Sequence, residues 1–497
     1  MTLIKRALLM DKTLKTTSFR QAVLAVSALL VVVIYGLMLR PLAFNQVAMP
    51  LEIVFMLAAV IVITQLLLLG FSWLTIQNAI VNKLSQAIPT ILLLFAIGLL
   101  IGSWIVSGTI PMLVYYALNI VSAEHIYLIA FIVPIFFSMC TGTSWGSIAT
   151  IGLVLITVAT VINADVAITA GAIIGGAYFG DKLSPLSDTT NIAAMSVNID
   201  LYQHIHAMLF TTLPSALLAS LGFFALDIIY PTQLPVGASA DIDILQQTLL
   251  GITMLFNFNL LLLLPPVIIL LGSMLKNPPL PVLVLSSLVS CLLALIFQHF
   301  SFDDIIQTMY QGFSLNMFST ERVLALPEHI AVLFERGGLY ALNQPIMITI
   351  LVFIYVGALD CINAMPTLIN RLLRGVKKSS TLVASSLVAS AVTNAMTSSQ
   401  YANSFINGEA FAKKYDEFGV NRKVLSRSLE DTGTMIESII PWSTTAVFIY
   451  ATLGVSIVDY WHWQLLSLIN IPLAFILAFS GLAQFKEPTY IQNSNEK

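Results

Sequence analysis

Charge is scarce in this chain. Of its 497 residues only 9% are charged, 22 Lys and Arg against 25 Asp and Glu, while 58% are hydrophobic. A soluble domain carries about 25% charged residues, so the charges are too few to coat a globule of this size. The near balance of signs, net −3, leaves no basic stripe for nucleic acid. Cysteine is scarcer still. Cys140, Cys291 and Cys361 stand apart within apolar segments and form no C-x-x-C spacing, which suggests neither a disulfide framework nor a zinc site.

What the chain has instead is apolar length. Windows of near-spanning length recur at 21–39, 51–73, 89–106, 207–226, 249–271, 280–297 and 461–482. These predict an all-α polytopic membrane protein of roughly 11–13 helical segments, with links between 73 and 89 and at other polar or Gly/Pro-bearing stretches. Lys5, Arg6, Lys12, Lys15 and Arg20 precede the first run, which reaches Arg40-Pro41 without a small-residue cleavage site. That pattern predicts a retained first helix with a cytoplasmic N-terminus.

Two places break the apolar pattern at membrane depth, where irregular backbone and ionisable groups survive only if they line a cavity or bind something. The first is Gly180-Asp181-Lys182-Leu183-Ser184-Pro185-Leu186-Ser187-Asp188-Thr189-Thr190-Asn191. It follows a Gly/Thr/Ser interruption, 139–147, whose flanking arms read as a re-entrant hairpin or a broken helix. The second half repeats this order. A polar interruption at 393–403 leads through a hydrophilic link to Glu430-Asp431-Thr432-Gly433-Thr434 and Pro441-Trp442-Ser443-Thr444-Thr445. Pro185 and Pro441 lie 256 positions apart (441 − 185), about half the chain, and Thr143-Ser144 pairs by letter with Thr397-Ser398. Paired discontinuous segments in two halves are the sequence signature of a transporter site. The turn 163–171 holds no basic residue, whereas 408–427 holds Lys413, Lys414, Arg422, Lys423 and Arg427; opposite faces follow, as an inverted repeat requires. The expected organisation is a cytoplasmic segment 1–20, a first half 21–275 with its break at 180–191, a connecting and interfacial region 276–345, a second half 346–484 with its break at 430–445, and a tail 485–497.

Asp188 sits among Ser187, Thr189, Thr190 and Asn191, hard oxygens of the kind Na+ prefers. A carboxylate in a low-dielectric cavity holds either a proton or a cation near neutral pH, and that competition suffices for coupled exchange. Asp188 is therefore the expected shared carboxylate, with Na+ at Asp188, Ser187 and Thr189, and Asp181 in support. Asn191, Thr143, Ser144, Ser398, Gln400, Asp431, Thr432, Ser443 and Thr444 complete the expected shell, with Asp360 and Glu437 as secondary proton acceptors. Lys182 reads either as a snorkelling residue or as the partner of another acid, and Glu430 as a solvated or salt-bridged group near the basic link. His204 and His206 read as interfacial, with pH sensing as the alternative. Gly142-Thr143-Ser144-Trp145-Gly146 spells the G-x-S-x-G of serine hydrolases, but that motif needs a strand before it and none is predicted.

The stretch GAYFGDKLSPLSDTTN resembles the most characteristic segment of the NhaC family of sodium/proton antiporters. Arg336-Gly337-Gly338, Leu425-Ser426-Arg427 and Leu429-Glu430-Asp431-Thr432-Gly433 through Pro441-Trp442 are also similar to family motifs, and the likeness runs from about residue 50 to residue 480. The resemblance implies an inner-membrane secondary transporter, usually dimeric, that needs no cofactor and moves Na+ and H+, with a cation/proton role for Asp181, Ser187, Asp188 and Thr189 and a supporting one for Asp431 and Thr432. Ser443 and Asp360 depart from the family pattern, where Asn and Glu are usual. Relatives that exchange small carboxylates or amino acids, malate for lactate among them, keep an organic substrate as the alternative, and Li+ is a further candidate ion. No arginine in the breaks is placed to clamp a dicarboxylate.

Overall fold

The computed structural model describes residues 18–120, 122–232, 239–275, 277–318 and 334–485. Lys5, Arg6, Lys12, Lys15, the 486–497 part of the tail, and Glu321, Arg322 and Glu328 of the interfacial region lie outside the described residues. Those described form helices and no strands. Eight helices are long and apolar enough to cross a membrane, or up to ten if each of two bent pairs is one span. With no water to satisfy backbone groups in hydrocarbon, helices that bond internally are the available solution.

Two expected boundaries move. Residues 73–88 form no link: Trp73–Val106 is one helix of 34 residues with Pro89 inside it. The turn before it is Gly70 to Ser72, where Gly70 takes φ +83° and Ser72 caps the new helix. Pro89 deletes one backbone hydrogen bond without ending the helix, as membrane helices tolerate. The window 249–271 is also no straight span. It bends by 100° between Leu255 and Leu260, and Leu465–Ser480 meets the short segment before it at 56°.

The connecting region includes a short helix, Phe302–Gln311, opened by a Ser301/Asp304 capping box. Arg336-Gly337-Gly338 then seats backbone against backbone. The Gly338 N–H donates to the Gly98 carbonyl at 2.8 Å and the Phe313 N–H donates to that of Arg336 at 3.0 Å. This motif is a packing joint on Trp73–Val106.

The centre of the molecule is built twice. A first hairpin, Ile126–Thr141 and Ser144–Val161, is followed by a first broken helix, Val166–Leu183 and Asp188–Ser196. A second hairpin, Ser379–Thr397 and Gln400–Glu417, is followed by a second broken helix, 422–437 and Thr444–Leu453. The first arm of each hairpin runs parallel to the broken helix that follows it. Gly180 meets Ile135, and Ser138 Oγ donates to the Ala177 carbonyl at 2.7 Å. In the second half Ser390 Oγ donates to Leu429 O at 3.1 Å and Asn394 Nδ2 to Gly433 O. A Cβ on Gly180 would sit 2.5 Å from the Ile135 carbonyl, so only glycine lets these helices close to backbone contact.

Candidate functional site

Each hairpin tip turns on one left-handed residue, Gly142 (φ +68°) or Ser398 (φ +50°). The next residue caps the second arm: Thr143 accepts from the Gly146 N–H and Ser399 from the Ala402 N–H. Each broken helix restarts on a serine cap, Ser187 accepting from the Thr190 N–H and Ser443 from the Ala446 N–H. Equivalent positions therefore differ by 256 throughout, the separation of Pro185 and Pro441. The letter pairing of Thr143 with Thr397 is a two-residue slip, because capping position, not residue type, sets the register. Trp145 then falls on Tyr401, and Asp181 on Glu437.

In the first half the helix ends at Leu183 and resumes at Asp188, with Pro185 exposed in the gap. Asp181, 4% exposed, accepts a 2.7 Å hydrogen bond from Ser144 Oγ at the hairpin tip, and its Oδ1 has no hydrogen-bond partner. Asp188 is exposed; the Thr189 N–H donates to its Oδ1 at 2.9 Å and the Tyr401 hydroxyl to its Oδ2. The expected ring of oxygens around Asp188 does not form. Thr190 Oγ1 donates to the Asp181 carbonyl at 3.1 Å, Asn191 Nδ2 donates to the carbonyls of Pro185 and Ser187, and Ser187 caps. These side chains satisfy the backbone groups that the break frees. Thr189 meets the Ser187 hydroxyl at 3.0 Å.

In the second half the helix 422–437 includes a π-helical turn, Leu429–Thr434. Gly433 lies against Asn403, Ser390 and Gln400 of the hairpin. Gln400 Oε1 accepts from Asn394 and Asn403, and Thr432 Oγ1 donates to Leu387 O at 2.8 Å. Glu437 accepts from Thr445 Oγ1 at 3.0 Å, the Ser443 hydroxyl donates to the Glu437 carbonyl, and Thr444 Oγ1 donates to Ser398 O. Ser398 Oγ is buried without a partner.

The halves also cross. Tyr401 of the second tip reaches Asp188 of the first break, while Trp145 of the first tip donates from Nε1 to Thr445 of the second break at 3.3 Å and stacks on Phe448 at 4.4 Å. Between them Lys182 Nζ meets Asp431 Oδ1 at 3.3 Å, and Arg427 Nε lies 3.6 Å from Asp431 Oδ2. Thr211 and Asn470, from Leu201–Ile229 and Leu465–Ser480, donate to the same carboxylate at 2.8 and 3.0 Å. Lys182 is thus the partner of an acid. Glu430 is not solvated: it is 0% exposed and accepts from Thr434 Oγ1 at 2.7 Å, because the helix beyond the basic link runs straight into the core. Arg427 is likewise buried, which leaves four of the five basic residues to the link itself. Asp181, Glu430 and Glu437 lie within electrostatic reach of one another, and Asp188 within reach of Asp181 and Glu430.

Asp360 is not brought to this cluster. It pairs at 3.1 Å with buried Lys83 on Trp73–Val106. Ser144 has an acid, not a histidine, as its partner, and His204 is buried against Ser426 Oγ at 2.8 Å, so Ser144 is not paired with His204. His206 packs on Phe210 and Phe485. Sequence reasoning missed Tyr401, Trp145, Thr211 and Asn470. The 256 register carries a signal for the first two, and nothing local marks the others.

A family model described as the Na+/H+ antiporter family matches residues 176–482. The chain is 35% identical to an uncharacterized Na+/H+ antiporter of Haemophilus influenzae over 90% of this chain and 95% of the relative. It is 33% identical to the Na+/H+ antiporter NhaC of Bacillus subtilis, and 29% identical to the malate-2H+/Na+-lactate antiporter of the same organism. Both matches cover 83% of this chain and 86% of the relative.

Proposed function

The chain belongs to the Na+/H+ antiporter family, and from that premise we propose that it exchanges Na+ for H+ by alternating access at the junction of its two hairpins and two broken helices. Charge balance carries this reading. Four buried carboxylates, Asp181, Glu430, Asp431 and Glu437, share the junction with two buried cations, Lys182 and Arg427, and both cations lie against Asp431. Unpaired buried charge is costly by several kcal/mol per ion, so the remaining acids need protons or transported cations to neutralise them.

Asp181 is the carboxylate best placed to be shared. Like Glu430 it is buried, keeps one oxygen without a partner and is oriented by a hydroxyl, and it also stands in the last turn before a break. Asp188, exposed and held by Tyr401, would receive ions at the mouth. A proton arriving from the acidic side displaces Na+, and its loss on the alkaline side restores affinity. The basic link between the second hairpin and second broken helix, against a first link without basic residues, supports an inverted arrangement. The same reading places the protein in the cytoplasmic membrane as a homodimer with its N-terminus inside.

A cation is the strongest anchor for an organic acid's carboxylate, and both cations at the junction are engaged by Asp431, which favours an inorganic ion. The test uses proteoliposomes with a trapped pH-sensitive dye, adding Na+, Li+ or K+ without organic solute. Na+-driven proton flux in wild type, lost in Asp181→Asn, is expected. Flux that starts only when malate, lactate or an amino acid is added would replace this reading with organic-solute exchange.

A further inference from the structure

Glu437 occupies in the second half the position that Asp181 occupies in the first. Both lie in the last turn before a break, both are buried, and both precede by six residues the serine that caps the next half-helix. Each is oriented through one oxygen by a hydroxyl, Asp181 by Ser144 and Glu437 by Thr445. Asp181 keeps an oxygen without a partner, open to a cation. The Glu437 carboxylate accepts from Thr445 Oγ1 at 3.0 Å, and the Thr445 hydroxyl in turn accepts from Trp145 Nε1 at 3.3 Å. A threonine hydroxyl both donates and accepts, so this contact persists whether the glutamate is ionised or protonated. The groups facing Glu437 add no positive charge: Asp181 and Glu430 are acids, and Tyr178 and Tyr401 are phenols, all within its electrostatic reach. Lys182 and Arg427 are directed at Asp431.

Building on the exchange reading, we propose that Glu437 is a second ion-carrying carboxylate that takes a proton in each cycle, so that two protons move against one Na+. One net positive charge then travels with the protons.

The null point of exchange tests this. Proteoliposomes holding the full chain are clamped at zero voltage with K+ and valinomycin, a tenfold Na+ gradient is imposed, and the pH difference that abolishes flux is found. Since each tenfold gradient of a monovalent ion stores the same free energy, the null lies at about half a pH unit for two protons and about one unit for one. Wild type is expected near half a unit and Glu437→Gln near one, with Glu437→Asp returning toward half. A null is independent of rate, so a variant that is merely slow or partly misfolded keeps the wild-type value. A wild-type null at one unit, or an unmoved null in Glu437→Gln, overturns the inference. If the glutamine variant carries no flux, the wild-type and Glu437→Asp nulls decide: both at half a unit support a titrating carboxylate there, and either at one unit overturns it. Absence of any Na+-dependent proton flux in wild type would instead overturn the exchange reading itself.

Discussion

Lys182 and Asp431, 249 positions apart in the chain, meet at 3.3 Å with neither side chain more than 1% exposed. The contact ties the first broken helix to the second, just ahead of one break and within the π-helical turn of the other. Removing one member of a buried pair costs about 3–5 kcal/mol, because the other charge is left uncompensated. The two members are not equivalent. Without Lys182, Asp431 still has Arg427, Thr211 and Asn470. Without Asp431, two cations lose their counter-ion together. Asp431→Asn is therefore expected to lower the unfolding temperature in detergent more than Lys182→Met does, and Lys182→Met/Asp431→Asn less than the sum of the two. Equal single effects would show that Arg427 does not share the carboxylate.

Gly180 precedes Asp181 and lies against the backbone of the first hairpin, where an added Cβ would meet Ile135 O, Ser138 Cβ and Met139 N. Overpacking of this kind costs about 1–3 kcal/mol. Gly180→Ala is expected to lower thermal stability and also to weaken apparent Na+ affinity, since the helix end that carries Asp181 must shift. Loss of stability with unchanged affinity would separate the packing from the site.

How much of this was legible beforehand follows from where the signals are local. Polar residues interrupting an apolar run gave both breaks and both tips, since any such interruption must be satisfied by something. The Pro185–Ser187 and Pro441–Ser443 echo gave the register. Pairing across the molecule had no such signal. Asp181 and Asp188 look alike in sequence, and only the fold buries one and exposes the other. Glu430 follows five basic residues in sequence, and the helix carries it, with Arg427, away from the other four. Residues 73–88 carry Lys83, a charge that a membrane helix carries at a cost unless it is paired, and Asp360 pairs it from another helix.

Outside the membrane, the Arg422 guanidinium hydrogen-bonds Asp416 at 2.9 and 2.6 Å and holds its carboxyl below the usual range. A depressed folded pKa stabilises above the unfolded value, and the gain is lost as pH falls through the folded one. With Asp416 51% exposed, screening limits the pair to under about 1 kcal/mol. The ion-pair part of the cost of Arg422→Gln is expected to be that small at pH 7, less in high salt, and gone once Asp416 is protonated, which leaves only the lost hydrogen bond to the Val197 carbonyl. A change in the pH profile of exchange would give this pair a role beyond stability.

Tyr401 and Trp145 occupy one register position in the two halves, and each closes on the break of the other half. If the halves move against each other, these contacts part and reform in every cycle, and steps of that kind set turnover more than affinity. Tyr401→Phe removes the hydroxyl that binds Asp188 and keeps the ring, so it is expected to change the maximal rate of Na+-driven proton flux with little change in half-saturating Na+. Ser144→Ala should do the opposite. Its hydroxyl orients buried Asp181 at 2.7 Å, and a hydrogen bond to a charged group is worth about 1.5–3 kcal/mol. Half-saturating Na+ should therefore rise by about tenfold or more. Initial rates across a Na+ series separate the two. A Tyr401→Phe variant altered in affinity alone would place Asp188, not Asp181, at the centre of ion binding.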